Sequence, residues 1–208
     1  MPKVAAIVTC HNYERYLQRC LDTLLSQKTA FAKILVVDDS SDDKSAVAQI
    51  CKTQRVECVR IEARSVAAAR NVGMSKTTEP VLCFIDADNF FSSVFLERML
   101  PAMSDPDLAV HYCPSKLVND ADTVIGDGTS IGPLDYERLP IENCIDTCNL
   151  VRREAIESVG GWVKTNPMMY EDWHLFMRIS RAGWKIKFNP IHYWFYRVHE
   201  GQMRQAAP

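Results

Sequence analysis

The sequence predicts an α/β fold in which a mostly parallel central sheet is flanked by helices and followed by a smaller C-terminal portion. Two observations carry this. Short apolar runs rich in β-branched residues alternate with segments of helical periodicity over the first two thirds of the 208 residues. That βαβα order calls for parallel strands joined by crossover helices on both faces. Polar residues then gather directly after the apolar runs, where an open parallel sheet binds its ligands.

Taken in order, Lys3 to Thr9 is an apolar run of buried-strand character. Leu17, Cys20, Leu21, Leu24 and Leu25 recur at spacings of three and four and mark one face of a helix. Ile34 to Val37 is a second buried strand. Ser40, Ser41, Asp42 and Asp43 supply cap and first-turn chemistry for a helix reaching Thr53. Val56 to Ile61 is the third strand, Ser65 caps a helix to Lys76, and Val81 to Ile85 is the fourth strand. Leu108 to Cys113 is a further strand.

Pro114 to Asp146 has another character. It is polar, holds Gly126, Gly128, Gly132, Pro133 and Pro140, and lacks a sustained period. Irregular structure or short antiparallel pieces are expected, the kind of segment that faces an acceptor. Arg152 to Val159 predicts a helix stopped by Gly160-Gly161. Glu171 to Ala182 predicts a stronger helix, with Trp173, Phe176, Met177 and Ser180 along one face and Gly183 closing it. Lys185 to Phe188 and His192 to Tyr196 are late strands. The stretch from Gln202 to Pro208 is expected to fray.

The composition excludes several classes. A net charge of −2 gives no electrostatic footprint for nucleic acid. No apolar run approaches the roughly 20 residues of a transmembrane helix, and no signal peptide precedes the first strand. Of the eight cysteines, only Cys144 and Cys148 are near neighbours, at a spacing unsuited to a zinc knuckle. Reduced, mostly buried thiols in a cytoplasmic protein, free or peripheral at a membrane, are expected.

The chemistry collects at strand ends. The first strand delivers Thr9, His11 and Asn12, the second Asp38 and Asp39, the fourth Asp86 and Asp88. One such group alone is ordinary turn chemistry; three at successive strand ends point to a ligand. Asp86-Ala87-Asp88 is the sharpest signal. Two carboxylates that close repel unless a cation lies between them, and hard oxygen ligands suit Mg²⁺ or Mn²⁺.

Six short segments then stand in a telling order. They are Val36-Val37-Asp38-Asp39-Ser40-Ser41-Asp42, Ala69-Arg70-Asn71-Val72-Gly73, Phe84-Ile85-Asp86-Ala87-Asp88, Val159-Gly160-Gly161-Trp162, Tyr170-Glu171-Asp172-Trp173 and Tyr196-Arg197-Val198-His199. Together they resemble the family 2 glycosyltransferases of the GT-A fold, from Val4 to about His199. The resemblance implies one GT-A domain over residues 1–208, with a nucleotide-sugar-binding half at 1–113 and an acceptor and catalytic-base half at 114–208. It implies that Thr9 and Asp39 touch the nucleoside, that Arg70 and Asn71 lie near the base or diphosphate, and that Asp86 lies near the ribose and sugar. It further implies Asp88 as metal ligand with His199 reaching the same metal, and Asp172 as the catalytic base. His11 and Asn12 fall in the same nucleotide-binding turn, His11 standing where the family often carries tyrosine or proline.

The implied reaction is inverting transfer of a sugar from a nucleoside-diphosphate sugar, UDP-linked first among the options, to a hydroxyl on a glycan, a lipid-linked or another acceptor. Divalent Mn²⁺ or Mg²⁺ assists. A sugar nucleotidyltransferase or a dinucleotide oxidoreductase would need a Gly-rich loop after the first strand, and Cys10-His11-Asn12-Tyr13-Glu14 is not one. The remaining alternative is a nucleotide-sugar-binding module of a larger polypeptide, without turnover.

Overall fold

The computed structural model describes residues 1–128, 132–137, 139–165 and 170–200. Its centre is β1 (Val4–Cys10), buried along its whole length. Alternate side chains of a strand face opposite sides of the sheet, and β1 shows what each side holds. Val4, Ala6 and Val8 join one apolar cluster, whereas Ala5 and Ile7 join a second. Only a strand covered on both faces sustains such a run.

β1 pairs in parallel with β2 (Lys33–Asp39) on one side and β4 (Val81–Asp86) on the other, and β3 (Glu57–Ile61) extends the sheet beyond β2. The crossovers are helical. α1 (Glu14–Leu25) drives Leu17, Cys20, Leu21 and Leu24 into the first cluster, where Val47 and Cys51 of α2 (Lys44–Gln54) join them. Full burial of a leucine contributes roughly 1.5–3 kcal/mol, so this stripe fixes α1 on its face of the sheet. Asp43, the last of the four cap candidates, accepts from the Ala46 N–H and starts α2. α3 (Val66–Ser75) covers the other face, with Ser65 as its cap as expected. It sits so close that a Cβ on Gly73 would lie 2.3 Å from Ile7 Cγ2, so a glycine is required there.

Seven strands form the main sheet in the order β3-β2-β1-β4-β8-β5-β9. β5 is Leu108–Tyr112, β8 is Leu150–Arg152 and β9 is Lys185–Phe188. β8 runs antiparallel to both its neighbours, β4 and β5. It went unread in the sequence because three residues carry no period of their own; β4 and β5 impose its state. α4 (Phe95–Met99) and the 3₁₀ turn at Leu100–Ser104 were also not anticipated.

The segment expected to be irregular or antiparallel supplies a second sheet. β6 (Ser115–Val118) and β7 (Val124–Asp127) pair antiparallel, and β10 (Trp194–Arg197) joins β6 in parallel. α5 (Arg153–Ser158) ends at Gly160 and Gly161, with φ of 83° and 79°. α6 (Glu171–Arg181) corrects one expectation. Its buried face is Leu175, Phe176 and Ile179, so of the four residues assigned to that face only Phe176 is on it. Trp173 serves a loop instead, its Nε1 donating to the Leu139 carbonyl at 2.5 Å.

All eight cysteines are free, six of them buried, while Cys58 and Cys144 are half-buried. Among the described residues no helix is long and apolar enough to cross a membrane. The tail from Gln202 onward lies outside the described residues.

Candidate active site

The C-terminal ends of β1, β2 and β4 open onto one cavity of about 760 Å³, closed on its far side by the start of α6 and the 143–148 loop. Thr9, His11, Asn12, Asp39, Arg70, Asp86, Asp88 and Asp172 all line it. Of the residues singled out from sequence, Asp38, Asn71 and His199 do not. Thr9 and Asp172, 163 positions apart, thus reach one volume because the parallel strand ends and the start of α6 meet there.

The β2 end is built on backbone donors. Asp39 accepts N–H bonds from Ala63 and Arg64 at 2.8 Å and from Ser65 at 2.7 Å, and the Ser40 hydroxyl at 3.0 Å. Burial alone would raise this carboxyl; the three N–H groups and the hydroxyl outweigh it and hold it below its ordinary value. In return Asp39 shapes the turn from β3 into α3, where Arg64 takes a left-handed φ of 47° and lines the cavity. The β1 end is tied to it. His11 Nδ1 lies 2.6 Å from the Asp39 carbonyl, and the Asn12 amide exchanges bonds with Asp42, accepting from its N–H and donating to its carboxylate. Asp38 faces the other side of the strand and pairs with Arg60 at 2.6 Å.

Arg70 occupies the centre. It is 2% exposed, donates to Glu171 at 2.6 Å and Asp86 at 3.3 Å, and lies 4.6 Å from the Trp162 ring. Burial would weaken its hold on the proton, but Asp86 and Glu171 keep the guanidinium above its ordinary value. Thr9 donates to the same Asp86 oxygen at 2.6 Å. One arginine therefore ties β4 to α6 and neutralises two carboxylates. Asn71, its neighbour, faces elsewhere. Its amide donates to the Trp162 carbonyl at 2.8 Å and accepts from the Trp162 N–H at 3.0 Å, clamping the turn after Gly160-Gly161.

Asp88 and His199 form a buried pair, Oδ2 to Nε2 at 3.1 Å. Burial raises the Asp88 carboxyl although His199 partly opposes it, and the bond to Asp88 raises His199. The other Asp88 oxygen is buried with no hydrogen-bond partner among the described residues. His199 Nδ1 lies 2.9 Å from the Glu200 carbonyl, so that with a cation in place of the proton between Asp88 and Nε2, Nδ1–H would hold that carbonyl and Nε2 would supply the electron pair. An orphaned carboxylate oxygen beside an imidazole fits a divalent cation. Among the described residues no third His, Cys, Asp or Glu joins them in a metal-holding group. Mg²⁺-type ions are commonly held by one or two carboxylates with substrate phosphates and water completing the shell. Arg197, given no role from sequence, braces this corner: it donates to the Asp88 carbonyl at 3.1 Å and pairs with Asp122. Its place between Tyr196 and His199 in a motif was the available signal.

Asp172 stands apart electrostatically. Its carboxyl is pushed up to about 6, first by burial and then by neighbouring Glu171, with Arg70 and the Trp173 N–H opposing. Trp173 N–H donates to it at 2.7 Å, while the Asn143 amide and Thr147 hydroxyl lie at 3.4 Å. Glu171 is the one that Arg70 engages directly. Arginine thus neutralises the first carboxylate of the pair and leaves the second poised near neutrality, suited to accept a proton.

Comparison with known proteins identifies the family and the fold. The sequence profile described as Glycosyl transferase family 2 matches residues 5–160. The chain is 24% identical to the UDP-Glc:alpha-D-GlcNAc-diphosphoundecaprenol beta-1,3-glucosyltransferase WfaP of Escherichia coli, over 98% of this chain and 80% of that protein. Its fold superposes on S. aureus TarS 1-349 in complex with UDP-GlcNAc with a TM-score of 0.77 at 17% identity, covering 99% of this chain and 61% of that one. It superposes on the mannosyltransferase PcManGT of Pyrobaculum calidifontis, in complex with GDP-Man and Mn²⁺, with a TM-score of 0.74 at 19% identity, covering 99% and 59%. The fold is that of the GT-A glycosyltransferases. The chain spans between 14% and 80% of the length of its curated relatives.

Proposed function

This chain belongs to glycosyl transferase family 2, and on that premise we propose that it transfers a sugar from a nucleoside-diphosphate sugar to an acceptor hydroxyl with inversion at the anomeric carbon. The observation that carries the reading is Asp172, a carboxyl raised to about 6 on the wall of the cavity that also holds Asp39, Arg70 and Asp88.

The roles follow from the chemistry of each group. An acceptor hydroxyl is a poor nucleophile until a base takes its proton during attack. Asp172 is that base. Inversion needs one base opposite the leaving group, whereas retention needs a nucleophile or its equivalent. Asp86 and Glu171 are both committed to Arg70, which argues against a second dedicated carboxylate. Asp88, with His199, would hold Mn²⁺ or Mg²⁺. When bound, the cation supplies Lewis-acid stabilisation of the departing diphosphate. Asp39, with Thr9, His11 and Asn12 around it, would receive the nucleoside. Its Oδ2 takes one N–H, from Ser65, and a carboxylate oxygen accepts about two. A uracil-type N3–H, which thymine shares, fits the remaining lone pair, and a UDP-sugar is the first donor to test. Both solved neighbours are complexes with nucleotide sugars, one of them UDP-linked. Residues 1–113 would then serve the donor and 114–208 the acceptor and the base.

A thermal-shift panel of UDP-, GDP- and dTDP-sugars, with and without Mn²⁺, tests this directly, because selective binding raises the melting temperature by mass action. A metal-dependent rise with one nucleotide class, together with release of the nucleoside diphosphate, is the expected result. Binding without any release would support a binding module, and no binding would overturn the proposal.

A further inference from the structure

Tyr170 is an odd residue to find two positions before the proposed base. Its backbone sits at φ 68° and ψ 23°, the left-handed region that a bulky L-residue adopts only against steric resistance. It occupies the N-cap of α6 yet makes no side-chain cap bond. The residue is 47% exposed and lines the cavity. It is not loose, because it rests against the Trp173 ring in an edge-on contact, centroids 5.8 Å apart at 84°. Trp173 is itself pinned by its bond to the Leu139 carbonyl. Strain of this kind is retained most often at functional sites, and here it stands at a cavity wall. A glycine would fill the same backbone position without resistance.

Its surroundings say what kind of ligand. The Asn143 amide and Thr147 hydroxyl lie 3.4 Å from the two Asp172 oxygens. This part of the cavity therefore presents an aromatic ring, an amide, a hydroxyl and a carboxylate together. A sugar ring matches that set: a flat patch of C–H groups for the aromatic face and a rim of hydroxyls for the polar groups. A serine side chain or a simple long-chain alcohol offers a hydroxyl but no such flat face.

We propose that the acceptor is a carbohydrate and that Tyr170 is the platform for its ring, setting it so that one hydroxyl meets Asp172. This rests on the reading of Asp172 as the base. Tyr170 is thus a specificity-determining residue for the acceptor, with no part in holding the donor.

The experiment measures nucleoside diphosphate release from the nucleotide sugar that binds in the thermal-shift panel, in Mn²⁺. The added acceptors are p-nitrophenyl glycosides of glucose, galactose and N-acetylglucosamine, against 1-octanol and a serine peptide. The chains compared are wild type, Tyr170→Phe, Tyr170→Ala and Tyr170→Gly. At least one glycoside should stimulate release by the wild type, with octanol and peptide inert. Tyr170→Phe should stay close to wild type. Tyr170→Ala and Tyr170→Gly should raise the KM for the glycoside about 10-fold, the worth of one aromatic stack, and lower kcat for glycoside transfer because the hydroxyl is no longer set against Asp172, while the thermal shift given by the nucleotide sugar stays as in wild type. Tyr170→Gly should melt at the same or a higher temperature, which separates lost recognition from lost folding. Hydrolysis of the donor with no response to any glycoside overturns the inference alone, as does an unchanged KM in Tyr170→Ala. Failure of the wild type to turn over any nucleotide sugar overturns the underlying reading as well.

Discussion

Asp39 and Asp172 line the same cavity and are treated in opposite ways. Asp39, at the end of β2, is surrounded by N–H donors and held below its ordinary value. Asp172, at the start of α6, has one close backbone donor, a carboxylate neighbour in Glu171, and a value pushed up to about 6. The residue type is identical, so the difference lies in what each environment contributes. A carboxylate ringed by donors stays ionised and is suited to accept hydrogen bonds while organising a turn. A carboxylate buried beside a second carboxylate, with one close donor, binds a proton readily and is suited to take one.

The strongest way to break this contrast is Asp172→Asn. The amide keeps shape and polarity but cannot accept the proton. Donor affinity should stay within a few-fold while transfer falls by roughly 10²–10⁴. Near-normal transfer by the folded variant would remove Asp172 from the mechanism. Glu171 is a poorer substitute, because Arg70 already engages it.

The Asp39 side of the contrast should appear mainly as stability and nucleotide binding. Asp39→Ala leaves the N–H groups of Ala63, Arg64 and Ser65 without their acceptor. A loss of about 3 kcal/mol in unfolding free energy is expected, with nucleotide affinity down by roughly 1–3 kcal/mol. Because the folded value is depressed, the stabilisation from Asp39 is complete above its unfolded value of 3.8 and fades as pH falls through the lower folded one. Denaturant melts at neutral pH and calorimetric titration with UDP check both. An unchanged melt with normal UDP binding would contradict both roles.

Asp88 adds a third carboxylate, raised by burial yet with one oxygen unpartnered. Asp88→Ala should lower nucleotide affinity about 10-fold or more in Mn²⁺ and change it little in EDTA. Equal loss in both conditions would mean that Asp88 acts through the fold.

Much of this was legible in the sequence, and the division has a physical cause. Apolar runs identified β1 through β5, helical periodicity α1 and α6, and cap or stop residues α2, α3 and α5, because all of these signals are local. The strand-end polar groups were legible for the same reason: once the strands are parallel, their ends must meet. β8 was not legible, since three residues take their state from neighbours on either side. The partner of each polar group was hidden too. Asn71 was grouped with the nucleotide contacts by its place beside Arg70. Successive residues on a helix point about 100° apart, and in the structure Asn71 holds Trp162 outside the cavity. Nor does the string of residues tell Glu171 from Asp172. Only the position of Arg70, 101 residues earlier in the chain, makes one a salt-bridge partner and leaves the other as the raised carboxyl.

The effect of Asp172 on stability is the most diagnostic of the contrast. The folded state raises Asp172 from 3.8 to about 6. Between those values the folded chain binds more protons at this site than the unfolded chain, so stability falls as pH rises through that window. Above it the full penalty for burying an ionised carboxylate is present, about 2–3 kcal/mol at the usual 1.4 kcal/mol per unit. Below the unfolded value the penalty is absent. Asp172→Asn carries no such charge. The variant should therefore be more stable than wild type at pH 7.5, by several degrees in melting temperature, with the gap closing as pH falls toward 4. Wild-type transfer, in turn, should rise with pH through about 6, as the carboxylate becomes available to take the proton. A helix start also favours a negative charge, and if that were the only role of Asp172, the Asn variant would be less stable at pH 7.5 by up to about 1 kcal/mol. Thermal melts of the two chains at pH 7.5 and pH 4 thus give opposite signs for the two roles. Stabilisation at pH 7.5 together with lost transfer would identify a carboxylate kept under strain for proton transfer, the reverse of Asp39, whose loss should cost stability at that same pH.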